Sequence, residues 1–223
     1  MFNKGLSLEQ APPVGVPFRF FLSAPLFGVL ISFVFLFFPF AEVSNQYSPK
    51  AIGTVHLFTL GILSMIIFGA MQQMMPVLAS AIIKKPKLFA NIVHPSLVLG
   101  TLFMSFSFIL ELRFFLHIGV LFLSIAFLTF FAVSIRLLFK VEFLTSTVKA
   151  MRLFSVAGLI TLILGLIIAI SHITLNFSTH YYSFVNMHML FGLFGFALLL
   201  IMGVSFQVIP MFYVALDFPK YIQ

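Results

Sequence analysis

Histidine is the residue type in this chain best placed to do chemistry. His56, His117, His172, His180 and His188 all fall near one edge of a series of very apolar segments, while His94 falls at the opposite edge. An imidazole beside hydrocarbon is costly without a partner or a metal. The clustering therefore points to a membrane-embedded haem or metal site. The chain has no cysteine, which excludes disulfides and thiolate or iron–sulfur ligation. A transition metal would be held by His, Met or oxygen ligands.

The elements that must position these rings follow from composition. Of 223 residues, 62% are hydrophobic and 8% charged, with a mean hydropathy of +1.21. A soluble domain is about half apolar and about a quarter charged. Several runs exceed the roughly 18–20 apolar residues that cross a bilayer. The two-residue alternation of a lipid-facing barrel is absent. The fold class is all-α: a polytopic transmembrane bundle, read as a single domain over 1–223 with spans at about 18–40, 52–80, 89–110, 114–139, 151–173 and 183–214. The polar, proline-rich start over 1–17 reads as a short lead-in and lacks a cleavage pattern.

Basic residues set the expected orientation. Lys4, Arg19, Lys84, Lys85, Lys87, Arg136, Lys140, Lys149, Arg152 and Lys220 lie on the side of the N-terminus, and only Lys50 and Arg113 on the other. Such a bias places both termini in the cytoplasm. The net charge of +7 records orientation and is no nucleic-acid signal. Even-numbered spans then run inward. His56 and His117 lie about one turn below the outer face, His188 about a turn and a half, and His172 closes the fifth span there. His180 falls in the outer loop. His94, beside three lysines, reads as a headgroup-level side chain, and Lys84 to Lys87 as an orientation signal in contact with anionic lipid.

The second and sixth spans repeat a pattern. Gly61, Gly69, Gln73 and Pro76 recur as Gly195, Gly203, Gln207 and Pro210, at a constant offset of 134 residues. Arg19 opens the first span as Arg152 opens the fifth. Each helix pair reads as a copy of one unit in a parallel repeat. Glycines eight apart lie on one helix face and allow close approach. Gln73 and Gln207 extend the stripe and are expected to hydrogen-bond across it. Pro76 and Pro210 each free a carbonyl one turn back. The counterpart of His56 is Leu190, two residues past His188.

With the repeat in view, the chain resembles the haem-copper oxidase subunit I superfamily, especially its NnrS-like and short relatives. The stretches that carry the resemblance are Pro17-Phe18-Arg19-Phe20-Phe21, His56 to Gly61 through Gln73-Met74-Met75-Pro76, and His188 to Gly192 through Gln207 to Phe212. The resemblance implies a bacterial cytoplasmic membrane and a b-type haem or copper site. His56 matches the second-helix position that ligates the low-spin haem in oxidases, and His188 the sixth-helix position that ligates copper. It also implies a role in electron transfer or in O2- or NO-related respiration. Oxidases carry roughly twice as many helices, and the seventh- and tenth-helix histidines have no counterpart here. Gly192 stands where many oxidases have tyrosine. A complete oxygen-reducing centre in one chain is not expected, and a second copy or another membrane subunit is the expected complement.

From position alone, His56 and His188 are the first pair for haem or metal, with His172 and His117 as substitutes. Met187 and Met189 are possible soft ligands flanking His188. No carboxylate lies in mid-span, since Glu42, Glu142 and Asp217 sit at or beyond ends, and Glu111 and Arg113 read as a turn salt bridge. No helix carries two histidines four turns apart, which excludes two stacked haems. The alternative from another class is a cofactor-free membrane protein: a transporter half, or a scaffold or assembly subunit that dimerises through its glycine faces.

Overall fold

The computed structural model describes residues 8–216, 218 and 219. Lys4, Lys220, Asp217 and the first part of the lead-in lie outside the described residues. Six helices are long and apolar enough to cross a membrane. They are α1 (Gly15–Phe37), α2 (Pro49–Ala79), α3 (Pro86–Ile109), α4 (Arg113–Leu138), α5 (Ser146–Thr174) and α6 (Tyr181–Tyr213). No strand occurs among the described residues.

Local chemistry sets the ends. α1 stops at Phe37, short of the expected 40, because Phe38 precedes Pro39 and is pushed to extended backbone. A five-residue helix, Phe40–Ser44, follows. α2 starts with Pro49 at its first turn, and Ser48 caps it by accepting from the Ala51 amide at 3.0 Å. α5 begins at Ser146, five residues before the expected 151, because Thr145 accepts from the Val148 amide at 3.2 Å. Lys149 is thus helical.

The repeat extends into backbone geometry that no residue pattern announced. Within α2, Leu57–Ser64 is a π-helix, and within α6, Phe191–Leu198 is another, at the same offset of 134. In the first, Ser64 Oγ donates to the Thr59 carbonyl five residues back at 2.8 Å. Both helices also end at a left-handed residue, Ser80 (φ 52°) and Val214 (φ 50°), again 134 apart. Pro76 and Pro210 are both buried within these last turns.

The glycine stripes face the helix that precedes each in sequence. A Cβ on Gly61 would fall inside the Phe27 ring of α1, and one on Gly69 would sit 3.0 Å from the Phe20 Cβ and 3.1 Å from the Pro17 carbonyl. A Cβ on Gly195 would be 2.7 Å from the Ala157 Cβ of α5, and one on Gly203 would overlap Ala150. Helix pairs α1–α2 and α5–α6 therefore use one close-packing device twice. The expected glutamine bonds across the stripe do not form. Gly69 and Gly203 already meet the first turns of α1 and α5, so one turn further there is no helix left to bond. Gln73 is exposed, and the Gln207 Oε1 is buried with no partner. It is Gln72 that is buried, donating to the Phe68 carbonyl at 3.0 Å.

Phenylalanine fills the middle. Phe68 of α2 stacks on Phe130 of α4 at 3.7 Å, and Phe154 of α5 stacks on Phe196 of α6 at 5.0 Å. Phe131 touches Phe68, Phe154 and Phe196, which joins the two sets. In lipid such packing, rather than hydrophobic transfer, holds helices together. Phe68 is fully buried at its centre. Phe68→Ala is expected to destabilise the fold by about 3–5 kcal/mol, and Phe68→Leu by clearly less. Thermal unfolding in one detergent would show this as two separated midpoints below wild type.

At the histidine end, an ion cluster ties three elements. Lys50 Nζ lies 2.8 Å from Glu42 and 3.5 Å from Glu111. Glu111 thus pairs with Lys50, not with Arg113 as its position in the turn suggested. α3 runs beside α2, and the left-handed backbone at Glu111 (φ 58°) turns the chain alongside Lys50.

Candidate haem or metal site

His56 is the last residue before the π segment of α2. Its Nδ1 bonds the Ile52 carbonyl one turn back at 2.7 Å. His188 stands on α6, three residues before that helix's own π segment. Its Nδ1 bonds the Thr161 carbonyl of α5 at 3.0 Å. A carbonyl can only accept, so each Nδ1 carries the proton and each Nε2 keeps its lone pair. This is the arrangement by which an outer partner fixes a ligating histidine. The two rings lie 6.3 Å apart, centroid to centroid, with planes 24° from parallel.

That spacing is chemically suggestive. Two Nε2 atoms sharing one ion at about 2.0–2.1 Å each would put the ring centroids about 6 Å apart. The ring of His188 also rests close against Gly165, where a larger side chain would press on it. A Cβ on Gly165 of α5 would lie 3.0 Å from its Cε1.

His172 lies one phenyl ring away from the pair. Phe108 of α3 is 6.5 Å from His56 and 5.3 Å from His172. The Nε2 of His172 shares a 2.8 Å hydrogen bond with the Tyr181 hydroxyl, and Phe177 closes over the ring edge at 5.4 Å. His172 is therefore adjacent to the pair without converging on it. His117 is exposed on α4, with Nδ1 3.3 Å from the Arg113 carbonyl of its own helix. His180 is exposed before α6. Neither shares the space of His56 and His188. Among the described residues, no group of three or more His, Asp or Glu could hold one ion. The donor set is two imidazoles.

The two sides of the pair are covered unequally. Ala51, Gly53, Thr54 and Leu57 bury the N-terminal end of α2, with Gly53 close against the Ser105 carbonyl of α3. By contrast, no residue of Tyr181–Leu190 on α6 is buried. Its apolar side chains, including Met187, Met189 and Leu190, are half exposed. A flat apolar group on the His188 side would cover this surface. Met187 and Met189 are each about half exposed, which marks them as surface side chains rather than a closed ligand set.

His94, at the opposite end, is half-buried between α1 and α3. Its Nε2 is 2.8 Å from Ser23 Oγ, and its ring meets the edge of Phe20 at 4.9 Å. Sequence reasoning overlooked Phe108, Thr161, Gly165 and Tyr181. Only Tyr181 had a signal, as one of the two tyrosines that directly follow His180 in a chain with five.

Among the described residues, fold and site together define a bundle of six membrane-length helices with a repeated helix pair and two neighbouring imidazoles near one end. No family model, no curated protein and no solved structure matches this chain.

Proposed function

We propose that this is a membrane haem protein in which a b-type haem iron is held between His56 and His188. The observation that carries the reading is the neighbouring pair of rings, 6.3 Å apart, with both Nδ1 atoms committed to carbonyls so that both Nε2 atoms are left as ligand atoms. Axial ligation by two histidines favours one-electron transfer, whereas an open coordination position favours a diatomic gas. The chain's own residues do the rest. Ile52 and Thr161 hold the ring tautomers, and Gly165 sets the His188 ring. Phe108 screens the far side of His56, and the apolar outer end of α6 would exclude water.

The positive-inside bias supports both termini inside and the histidine pair in the outer leaflet, and the family resemblance supports a bacterial cytoplasmic membrane. The resemblance to haem-copper oxidase subunit I, on the stretches around His56 and His188, supports a place in respiratory electron transfer. A chain that supplies only two imidazoles would work with a second copy or another membrane subunit.

Copper is the second reading, because imidazole is also a good copper ligand and the pair by itself does not require a macrocycle. Elemental analysis of the purified protein separates the readings. Iron near one atom per chain with extractable haem supports the first, and copper without iron the second. A folded, colourless protein with neither metal leaves a cofactor-free scaffold.

A further inference from the structure

The two arginines that open the repeated helix pairs have diverged in what they bind. Arg152 gives both its Nε and one terminal nitrogen to backbone carbonyls, Leu138 at 3.0 Å and Val141 at 2.6 Å. It also lies over the Phe139 ring at 5.0 Å. It closes the end of α4. Arg19 has no such task. Its Nε bonds the Gly15 carbonyl at 3.0 Å, and one terminal nitrogen bonds Asn91 Oδ1 of α3 at 2.6 Å. A guanidinium has five N–H groups, so donors remain.

The Arg19–Asn91 bond also decides what Asn91 presents. Its oxygen is turned to Arg19, which leaves the NH2 group on the other branch of the amide as a donor. Lys87 lies one turn before Asn91 on α3, on the same face, and is exposed. Lys85 and Lys87 line a surface recess with Pro13, Pro86 and Leu88 at this end. Neither α1 nor α3 contains a carboxylate. The seam between these helices therefore offers donors and cations with no carboxylate of its own, the nearest acid in sequence being Glu9, which precedes α1. Beside it lie exposed apolar side chains, Phe18 and Leu22 on α1 and Leu88 and Ile92 on α3.

We propose that this seam binds an anionic phospholipid, its phosphate on Arg19, Asn91 and Lys87 and its acyl chains along the flanking apolar residues. A free phosphate would use the donors but not the apolar flank. The assignment is independent of the histidine pair, which lies at the opposite end of the bundle.

The test is native mass spectrometry of the full chain in detergent, with phosphatidylglycerol or phosphatidylcholine added at equal concentration. One phosphatidylglycerol is expected to stay bound under activation that strips phosphatidylcholine. Arg19→Gln and Lys87→Gln should each reduce retention about fivefold, the contribution of one basic side chain near an anionic lipid. Lys140→Gln, an exposed lysine at the same end, should change nothing. If Arg19→Gln does not fold, the exposed Lys87→Gln decides alone. Equal retention of both lipids, or equal losses for Lys140→Gln and Lys87→Gln, would overturn the site. Displacement of phosphatidylglycerol by millimolar inorganic phosphate would overturn the lipid assignment.

Discussion

Replacing either His56 or His188 by Ala is expected to reduce the Soret absorbance of the purified protein to background. A haem held by two axial imidazoles loses one bond directly, and the remaining ring has no neighbouring histidine ready to take over. His172 is the nearest, but Phe108 stands between it and His56, and its Nε2 is bonded to Tyr181. His172→Ala should therefore keep the band and change only its surroundings. His117→Ala and His180→Ala should keep it unaltered, since both rings are exposed away from the pair. A ligand bound at about 100 times its dissociation constant stabilises by about 2.7 kcal/mol. Loss of haem should thus also lower the unfolding midpoint, and adding haemin should restore it only in variants that keep both rings. Absorbance and thermal unfolding of the same samples check both effects.

The second large effect is expected at Gly165, which touches no cofactor. Its missing side chain makes space for the His188 ring, because a Cβ there would sit 3.0 Å from Cε1. Gly165→Ala presses on the ring and should weaken haem affinity by about 10–100-fold, the usual cost of disturbing a residue that supports a ligand. Gly165→Leu should abolish binding while helix content stays normal. Gly192→Ala is the internal control, because its Cβ would meet only the Thr161 methyl at an ordinary 3.4 Å. Haemin titration of the apo forms, with circular dichroism alongside, measures affinity and fold separately. Equal affinity for the Gly165→Ala and wild-type proteins would mean that the ring does not need its present seat.

These expectations depend on features that were unequally visible in the sequence. The six spans were legible because lipid demands long uninterrupted apolar helices, and that demand is written in composition. The duplicated glycine stripes were legible for a related reason: close backbone approach needs small residues on one face. The paired π segments were not. Nothing in Leu57–Ser64 or Phe191–Leu198 marks a change of helical winding, and only their common offset in the structure ties them to the repeat. π segments in helices are often associated with functional sites. Here each begins within three residues of one histidine of the pair.

The candidate site was legible in depth but not in azimuth. Counting turns from the outer face placed His56, His117 and His188 at one level. It could not tell which way each ring faces around its helix. His117 shares the level, yet it lies on the exposed side of α4, next to the buried Leu116 and Gly119 that face inward. Gln73 was assigned a partner by periodicity, but α1 ends too soon to supply one. Glu111 was assigned to its neighbour in the chain, whereas the packing of α3 on α2 brings Lys50 closer in space. In each case the missing information was a contact between elements far apart in sequence.

The proposed centre requires two imidazole nitrogens to converge on a single metal ion. Pulsed electron paramagnetic resonance of the oxidised protein, grown with isotopically labelled histidine, counts them directly. Two equivalent labelled nitrogens, reduced to one in a His188→Gly protein supplemented with free imidazole, is the predicted result. A paramagnetic centre coupled to no labelled histidine, or to one that persists in both the His56 and the His188 variants, would contradict it.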